Sequence, residues 1–260
     1  MAQPIRAKKH LGQHFLNDEN IAHNIVKALL EKDTSTTVIE IGPGTGVLTQ
    51  FMLPELKSFF ALDVDQESVD FLKQKYPYKA DRVLFADFLQ TDLVKLAGNK
   101  FNVIGNFPYN ISSQIMFKVL EEREHIDYVV GMFQKEVAER LAEKPGTKTY
   151  GILSVLLQAF YEIEYLFTVH ENVFTPPPKV KSAVIRLTRN AVKKLDCDEV
   201  LFKNVVKTTF NQRRKTIRNS IKPILKETKI EHPFLDKRPE QLSVVQFVEL
   251  TRAVEVGMKG

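Results

Sequence analysis

Residues 106–109, Asn-Phe-Pro-Tyr, combine side chains that together can hold a flat heteroaromatic ring. An amide such as that of Asn106 bonds to the polar edge of a ring, a proline such as Pro108 stiffens the loop, and an exposed aromatic such as Tyr109 stacks on the face. An ordinary proline turn with a tyrosine packed beneath it is the alternative, because short motifs often arise by chance. The rest of the chain must decide between the two.

The position of this segment along the chain favours a ligand site. The apolar run 101–105 predicts a buried strand, and the spacing of Ile115, Met116 and Val119 predicts a helix shortly afterwards. The loop that begins at Asn106 therefore lies at the carboxyl end of a strand. Ligands of open α/β sheets bind at this end.

A glycine loop over residues 42–46, Gly-Pro-Gly-Thr-Gly, follows the β-branched strand 37–41. A dinucleotide-binding fingerprint would require glycine where Val47 stands, and no Gly-Lys-Ser/Thr phosphate loop is present. With Glu40 just before the glycines, the pattern favours a cofactor that carries an ammonium and a carboxylate, such as S-adenosylmethionine. A glycine turn that only packs a helix on a strand is the alternative.

Two further strands end in aspartate. Asp63 follows the strand 58–62, about 20 residues after the glycines, where a carboxylate can accept from both ribose hydroxyls of an adenosine group. Asp65 is the alternative for this role, or else the cap of the next helix. Asp87 follows the strand 82–86 and can accept from an adenine amino group, although aspartate is also a common turn residue.

These loops require a sheet whose strands alternate with helices. The last two strands follow each other with only a loop between them, which predicts an antiparallel pair at one edge of an otherwise parallel sheet. We therefore predict a doubly wound α/β domain over residues 1–188. Its seven strands are expected at 37–41, 58–62, 82–86, 101–105, 128–133, 163–169 and 182–187.

The remainder of the chain, 189–260, predicts a small helical domain with a basic surface. It carries 16 Lys and Arg against 9 Asp and Glu, a net charge of +7, whereas the chain as a whole has +5. Within it, Arg214, Arg218 and Lys222 recur every four residues, which predicts one face of a helix. Such a surface indicates a polyanionic partner, nucleic acid before membrane, although a solvated face is the alternative.

Composition also excludes several classes of protein. No apolar run approaches the roughly 18 residues of a membrane helix, and residues 1–10 are polar and basic, so we expect a cytoplasmic protein without a membrane partner. A single cysteine, Cys197, excludes an internal disulfide and a multi-cysteine metal site. Because Asp196 and Asp198 flank it, we expect an inert thiol.

Five motifs in this order resemble the ribosomal RNA adenine dimethyltransferases, a family with a small-subunit branch and a macrolide-resistance branch. The likeness spans nearly the whole chain. Two residues depart from the usual pattern, because the family more often has Asn where His14 stands and Leu where Phe107 stands. The motifs are residues 12–16, 40–46, 106–109, 174–180 and 210–215.

The resemblance implies a Rossmann-like class I methyltransferase fold, S-adenosylmethionine as cofactor and a set of site residues. Tyr109 and Phe174 would sandwich the target adenine, while the Asn106 side-chain oxygen and the Phe107 carbonyl accept the two protons of its amino group. No metal is needed, because the positive sulfur already activates the methyl group. The cofactor site would be lined by His14, Leu16, Gly42, Gly44, Asp63, Asp87 and Asn106. The RNA contacts would come from Arg213, Arg214, Lys215, Arg218 and Lys222.

The resemblance further implies dimethylation of two adjacent adenosines in small-subunit ribosomal RNA, within an immature subunit, by a monomer. The long basic tail favours this branch over large-subunit methylation of the resistance type. A protein that mainly binds RNA as an assembly factor is a second alternative. A methyltransferase for small molecules is disfavoured by the basic helical domain.

Overall fold

The computed structural model describes residues 5–259 and divides them into two compact units. The first unit runs to Ala138 and resumes over Ile163–Arg189, and the second comprises Glu139–Glu162 and the chain from Asn190 onward. The sequence patterns place the boundary at 188/189, close to the last passage of the chain from the first unit to the second, but assign the segment Glu139–Glu162 to the first domain. In the structure this segment clusters with the helices of the second unit.

The first unit is built around a seven-stranded sheet, as the sequence predicts. Nine strands are present in the described chain: β1 Phe15–Leu16, β2 Thr37–Ile41, β3 Phe59–Asp63, β4 Val83–Phe85, β5 Phe101–Asn106, β6 Ile126–Gln134, β7 Tyr161–Val169, β8 Phe174–Thr175 and β9 Ser182–Arg189. The large sheet has the order β4-β3-β2-β5-β6-β9-β7.

Strands β2 to β6 of this sheet pair in parallel, and β9 runs antiparallel to β6. The outermost strand on that side is β7. The predicted doubly wound, mostly parallel seven-stranded sheet is therefore confirmed. Because the carboxyl ends of β2, β3, β4 and β5 point the same way, the glycine loop, both strand-end aspartates and the Asn106 loop lie along one edge of the sheet.

The α-helices connect these strands and form the second unit. They are α1 Glu19–Leu30, α2 Thr49–Met52, α3 Gln66–Lys75, α4 Leu93–Ala97, α5 Ser112–Glu121, α6 Lys135–Ala142, α7 Ile152–Gln158, α8 Glu199–Asn211, α9 Ile217–Ser220, α10 Lys222–Leu225 and α11 Val244–Lys259. Within the described residues, none of these helices is long and apolar enough to cross a membrane.

Side-chain caps fix where several helices begin. The Asp18 carboxylate accepts from the backbone N–H of Ile21, and Asp65 accepts from that of Glu67. At α11, Ser243 and Gln246 bond reciprocally to each other's backbone N–H groups in a capping box. The cap at Asp65 is one of the two roles that the sequence allows for this residue.

The central strands are buried on both faces, and Asn102 is one of the polar residues within them. Asn102 in β5 is fully buried at a register shift between β5 and β6. Its amide donates to Asp33 at 3.0 Å, and its oxygen accepts from the Tyr128 N–H at 3.0 Å. The side chain therefore satisfies a backbone group that the irregular ladder leaves unpaired.

A second, two-stranded sheet was not anticipated from the sequence. Strand β1 pairs antiparallel with β8, so that Phe15 lies opposite Thr175 and Leu16 opposite Phe174. Strands of two residues carry no hydrophobic period from which they can be predicted. This pairing ties residues near the start of the chain to the proline-rich loop.

In the second unit, α8 contacts α7, α9 and α11, and the rings of Tyr150 and Phe247 both contact Phe210. The continuous basic helix face predicted from Arg214, Arg218 and Lys222 is wrong. Helix α8 ends at Asn211, before Arg214, and Arg218 and Lys222 lie on the separate short helices α9 and α10. Pro223 explains the second break, because proline is accepted in the first turn of a helix but not in its interior.

Candidate active site

An open cavity lies at the carboxyl ends of β2 to β5 in the first unit. Its walls come from five segments of the chain that lie far apart in sequence. They are residues 11–15, 41–44, 62–64, 86–88 and 106–111.

The glycine loop forms the wall after β2. Gly42 and Gly44 adopt φ angles of 62° and 54°, in the left-handed region that other residues avoid. A β-carbon on Gly44 would also lie 2.8 Å from the Phe15 ring, which is too close. The loop therefore requires glycine on two counts, and its bare backbone faces the cavity.

Asp63 at the end of β3 is almost completely buried beside this loop. Its Oδ2 accepts from the Gly44 N–H at 3.2 Å and its Oδ1 from the Asp65 N–H at 2.9 Å. Burial raises the pKa of Asp63 to about 6, although these backbone donors oppose the rise. Each oxygen keeps a further lone pair for a ligand hydroxyl.

Glu40, just before the glycines, is buried beneath the same wall. The Thr49 hydroxyl donates to its Oε2 at 2.7 Å. Burial raises the pKa of Glu40 to about 8, and the nearby charge of Asp63 adds to the rise. A cationic neighbour would favour the ionised form of this acid and lower its pKa again.

The Asn106 side chain has a fixed orientation. Its Nδ2 donates to the backbone carbonyl of His14 at 2.9 Å, so the amide oxygen is left as an acceptor. The next residue, Phe107, donates its N–H to the Met132 carbonyl at 3.1 Å, which extends the bonding between β5 and β6. In residues 5–259, neither the Asn106 Oδ1 nor the Phe107 carbonyl has a hydrogen-bond donor.

The Tyr109 ring is held at its hydroxyl and on one face. Its hydroxyl hydrogen-bonds to the Ser182 Oγ, and burial raises the pKa of Tyr109. The His14 ring stacks on it with centroids 5.4 Å apart and an interplanar angle of 28°. His14 Nδ1 in turn donates to the Pro176 carbonyl at 2.7 Å.

A family model described as ribosomal RNA adenine dimethylase matches residues 5–251. The chain belongs to this dimethylase family. The family and its structural neighbours use S-adenosylmethionine as methyl donor.

Curated relatives of this dimethylase have similar length. A protein of Parabacteroides distasonis named ribosomal RNA small subunit methyltransferase A is 59% identical over 249 residues, with 95% of this chain and 93% of the relative covered. A protein of the same name from Cytophaga hutchinsonii is 58% identical over 252 residues, with 96% and 97% covered.

Two solved structures resemble the whole dimethylase chain. A dimethyladenosine transferase from Plasmodium falciparum has a TM-score of 0.77 at 25% identity, covering 95% of this chain and 98% of its own. The 23S rRNA methyltransferase ErmE has a TM-score of 0.67, also at 25% identity, covering 92% and 99%.

The cavity of this dimethylase fits S-adenosylmethionine. The Gly44 backbone leaves a surface that a β-carbon would block, and Asp63 and Asp87 offer carboxylates at neighbouring strand ends. Asp87 also accepts from the Leu89 N–H at 2.9 Å, so it both lines the cavity and forms a turn. Asp65, the alternative to Asp63, faces other partners.

The first unit of the dimethylase includes a polar clasp that the sequence analysis missed: Lys8, Gln13 and Asp65. Lys8 Nζ lies 2.7 Å from one oxygen of Asp65, and Gln13 Nε2 donates to the other at 3.0 Å. Burial alone would raise the pKa of Asp65, but these donors lower it. The clasp holds the N-terminal wall of the cavity. The one signal for it in the sequence is the second aspartate, Asp65, two residues after Asp63.

Leu16 and Phe174 do not line the cavity of this dimethylase in the described structure, although the family resemblance assigns both to the site. Leu16 and Phe174 are 2% and 3% exposed and lie opposite each other in the small sheet. The other predicted cofactor residues, His14, Gly42, Gly44, Asp63, Asp87 and Asn106, are brought together there, with Phe107, Pro108 and Tyr109.

The basic residues of the second unit of this dimethylase differ in their surroundings. Arg218 forms a two-pronged pair with Asp236, at 3.0 and 3.3 Å, and Arg213 lies 4.0 Å from Glu240. The other three predicted contacts are exposed, and none has an acidic partner within the described residues. They are Arg214, Lys215 and Lys222.

Proposed function

We propose that this chain transfers methyl groups from S-adenosylmethionine to the N6 amino groups of two adjacent adenosines in small-subunit ribosomal RNA. The observation that carries the proposal is the fixed Asn106 amide, whose free oxygen is followed along the chain by the unbonded Phe107 carbonyl. Two neighbouring acceptors match an amino group with two N–H donors. The names of the relatives at 59% and 58% identity favour the small subunit.

The adenine amino nitrogen is a poor nucleophile because its lone pair is delocalised into the ring. When the Asn106 Oδ1 and the Phe107 carbonyl accept hydrogen bonds from its two N–H groups, the nitrogen is held closer to tetrahedral geometry and its lone pair becomes available. The bound cofactor supplies a methyl group already activated by positive sulfur. Holding the reactants in a near-attack geometry contributes much of the rate enhancement, and the product cation releases its proton to solvent.

N6-methyladenine, the intermediate, has a single N–H. Only one of the two acceptors can then bond to it, while the other must face the first methyl group. In the second transfer the same two oxygens therefore position the nitrogen with one hydrogen bond instead of two. A second molecule of cofactor then completes dimethyladenosine.

The target base would stack on Tyr109, whose ring is already held by Ser182 and His14. Stacking of a base on an aromatic ring contributes about 1–3 kcal/mol. Phe174 would cover the other face of the base, which requires that its ring leave the buried position that it occupies in the described structure. The base must also be extruded from its own stack.

The second unit would bind the RNA backbone. Arg214, Lys215 and Lys222 are free to contact phosphates, whereas Arg213 and Arg218 lie near acidic partners and would contribute less. We place the activity in the cytoplasm, on immature small subunits, with the protein acting as a monomer. The basic domain 189–260 of the sequence analysis is the RNA-binding part in this proposal.

Incubation of the protein with each immature ribosomal subunit and labelled cofactor tests the proposal. Mass spectrometry of the RNA should find dimethyladenosine at two adjacent positions of the small-subunit RNA. Label only in the large-subunit RNA would contradict it. RNA binding without any methylation would instead support the assembly-factor alternative.

A further inference from the structure

The Phe107 ring lies in a slot on one face of the sheet, above the two paired strands β5 and β6. It is 1% exposed, and its nearest neighbours include Gly105 of β5 and Gly131 of β6, which lie opposite each other in the parallel pairing. The Phe133 ring closes the slot edge-on, with centroids 5.1 Å apart and an interplanar angle of 82°. Two paired glycines thus leave the space that one large ring fills.

Lack of space, rather than backbone strain, demands glycine at position 131. The left-handed φ angles of the chain do not include Gly131. A β-carbon there would lie 2.3 Å from Cε2 of Phe107, 2.9 Å from its Cδ2 and 2.8 Å from Cε2 of Phe133. All three nearest atoms belong to side chains, so the conflict is with the seated rings.

Gly105 differs in one informative respect. A β-carbon at Gly105 would lie 2.8 Å from two atoms of the Phe107 ring, but also 2.6 Å from the backbone carbonyl oxygen of Ile41. A smaller residue at 107 would relieve the first conflict and leave the second. Phe107→Leu should therefore restore activity to Gly131→Ala but not to Gly105→Ala.

We propose that Gly131 is a positioning residue for methyl transfer, which acts by seating Phe107. This inference rests on the proposed function, in which the Phe107 carbonyl and the Asn106 amide accept the protons of the target amine. The Phe107 N–H is bonded to the Met132 carbonyl, next to Gly131. A ring that cannot enter the slot displaces the backbone that carries both acceptors.

The test is a double-mutant cycle with Gly131→Ala, Phe107→Leu and the two combined. Gly131→Ala should lower kcat on the order of 100-fold, the effect expected when the Phe107 carbonyl is displaced by about 1 Å. KM for the subunit and the cofactor Kd from calorimetry should change much less than kcat. Asn106 and Phe107 line part of the cavity, but Gly131 does not, and the glycine loop and Asp63 keep their positions. A leucine side chain is smaller than the phenylalanine ring and relieves the two closest conflicts with residue 107. The conflict that remains, 2.8 Å, is with the edge of the Phe133 side chain, which can shift as a backbone carbonyl cannot. The double variant should therefore recover to within about threefold of Phe107→Leu.

Gly105→Ala is the matched control. Its own loss of activity should persist when combined with Phe107→Leu, because the Ile41 carbonyl still conflicts with the added methyl group. Wild-type kcat in Gly131→Ala, or a double variant no more active than Gly131→Ala, would overturn the proposal. So would equal rescue of both glycine variants.

A second measurement does not depend on activity. Thermal unfolding of the free proteins should show the same non-additive coupling between positions 107 and 131, and none between 107 and an exposed site such as Tyr78. If Gly131→Ala alone does not fold, Phe107→Leu and the double variant are compared directly, and a large further loss in the double variant contradicts the seating. If the wild type does not methylate RNA, the proposed function fails, while coupling in the unfolding data still tests the slot.

Discussion

Asn106 and His14 are joined by a hydrogen bond of 2.9 Å from the Asn106 side-chain amide to the His14 backbone carbonyl. The bond selects which atom of the amide is available to a substrate. Asn106→Asp replaces the donor with an oxygen that repels the carbonyl, so we expect loss of methylation by about 100-fold or more, on the order found for displaced reacting groups. Rates of methyl incorporation into immature small subunits measure it.

His14→Ala is the control for that prediction. The acceptor is a main-chain atom, so the alanine variant keeps the bond and should retain far more activity than Asn106→Asp. RNA binding should be unchanged in both. Full activity of Asn106→Asp would refute the role of the amide.

Asp63 predicts a pH dependence of cofactor affinity. Its pKa in the folded protein is raised to about 6, so the carboxylate proposed to accept from the ribose hydroxyls becomes protonated below that value. Affinity for S-adenosylhomocysteine, measured by calorimetry from about pH 5 to pH 8, should fall as the pH drops through about 6. Asp63→Asn should bind weakly with little pH dependence in this range, and a parallel dependence in that variant would point to another group.

The raised pKa of Asp63 also predicts how the free energy of unfolding varies with pH. A carboxyl whose pKa is raised on folding favours the folded state while protonated, and this contribution is lost as the pH rises through about 6. The stability of Asp63→Asn relative to wild type should therefore increase between about pH 5 and pH 8. Urea denaturation at both pH values measures the change.

The clasp of Lys8, Gln13 and Asp65 predicts local order in the N-terminal wall. Removal of the Lys8 charge leaves the buried Asp65 carboxylate with one donor fewer. Lys8→Met should accelerate amide hydrogen exchange in residues 8–16 without lowering global stability to the same extent. The exposed Lys9 provides the comparison, since Lys9→Met should leave exchange at the wild-type rate.

The second unit predicts a graded loss of RNA affinity. Lys222→Gln should weaken binding and reduce the slope of log K against log salt by about 1, as expected for one phosphate contact. Arg218→Gln should change that slope less, because Asp236 already pairs with the guanidinium. Filter binding across a range of salt concentrations separates them, and equal slopes for the two variants would contradict the distinction.

The sequence predicted features that depend on local signals. The seven strands, the cap at Asp65 and the glycine loop all follow from short-range periodicity or turn chemistry. The basic face failed because spacing by four residues implies a helix only where the helix is continuous. Contacts such as Lys8 with Asp65, or Phe107 with Gly131, join separate segments and leave no periodic trace.

The pairing of Leu16 with Phe174 places two segments with different tasks in one short ladder. One segment closes the wall of the cofactor cavity, and the other carries the aromatic ring proposed for the base. In the proposed function the Phe174 ring turns towards the incoming base, so its side chain must leave the core that it shares with Leu16. Because Leu16 directly follows the segment that lines the cavity, this movement would also loosen that wall, and base entry and cofactor exchange would then share one conformational barrier.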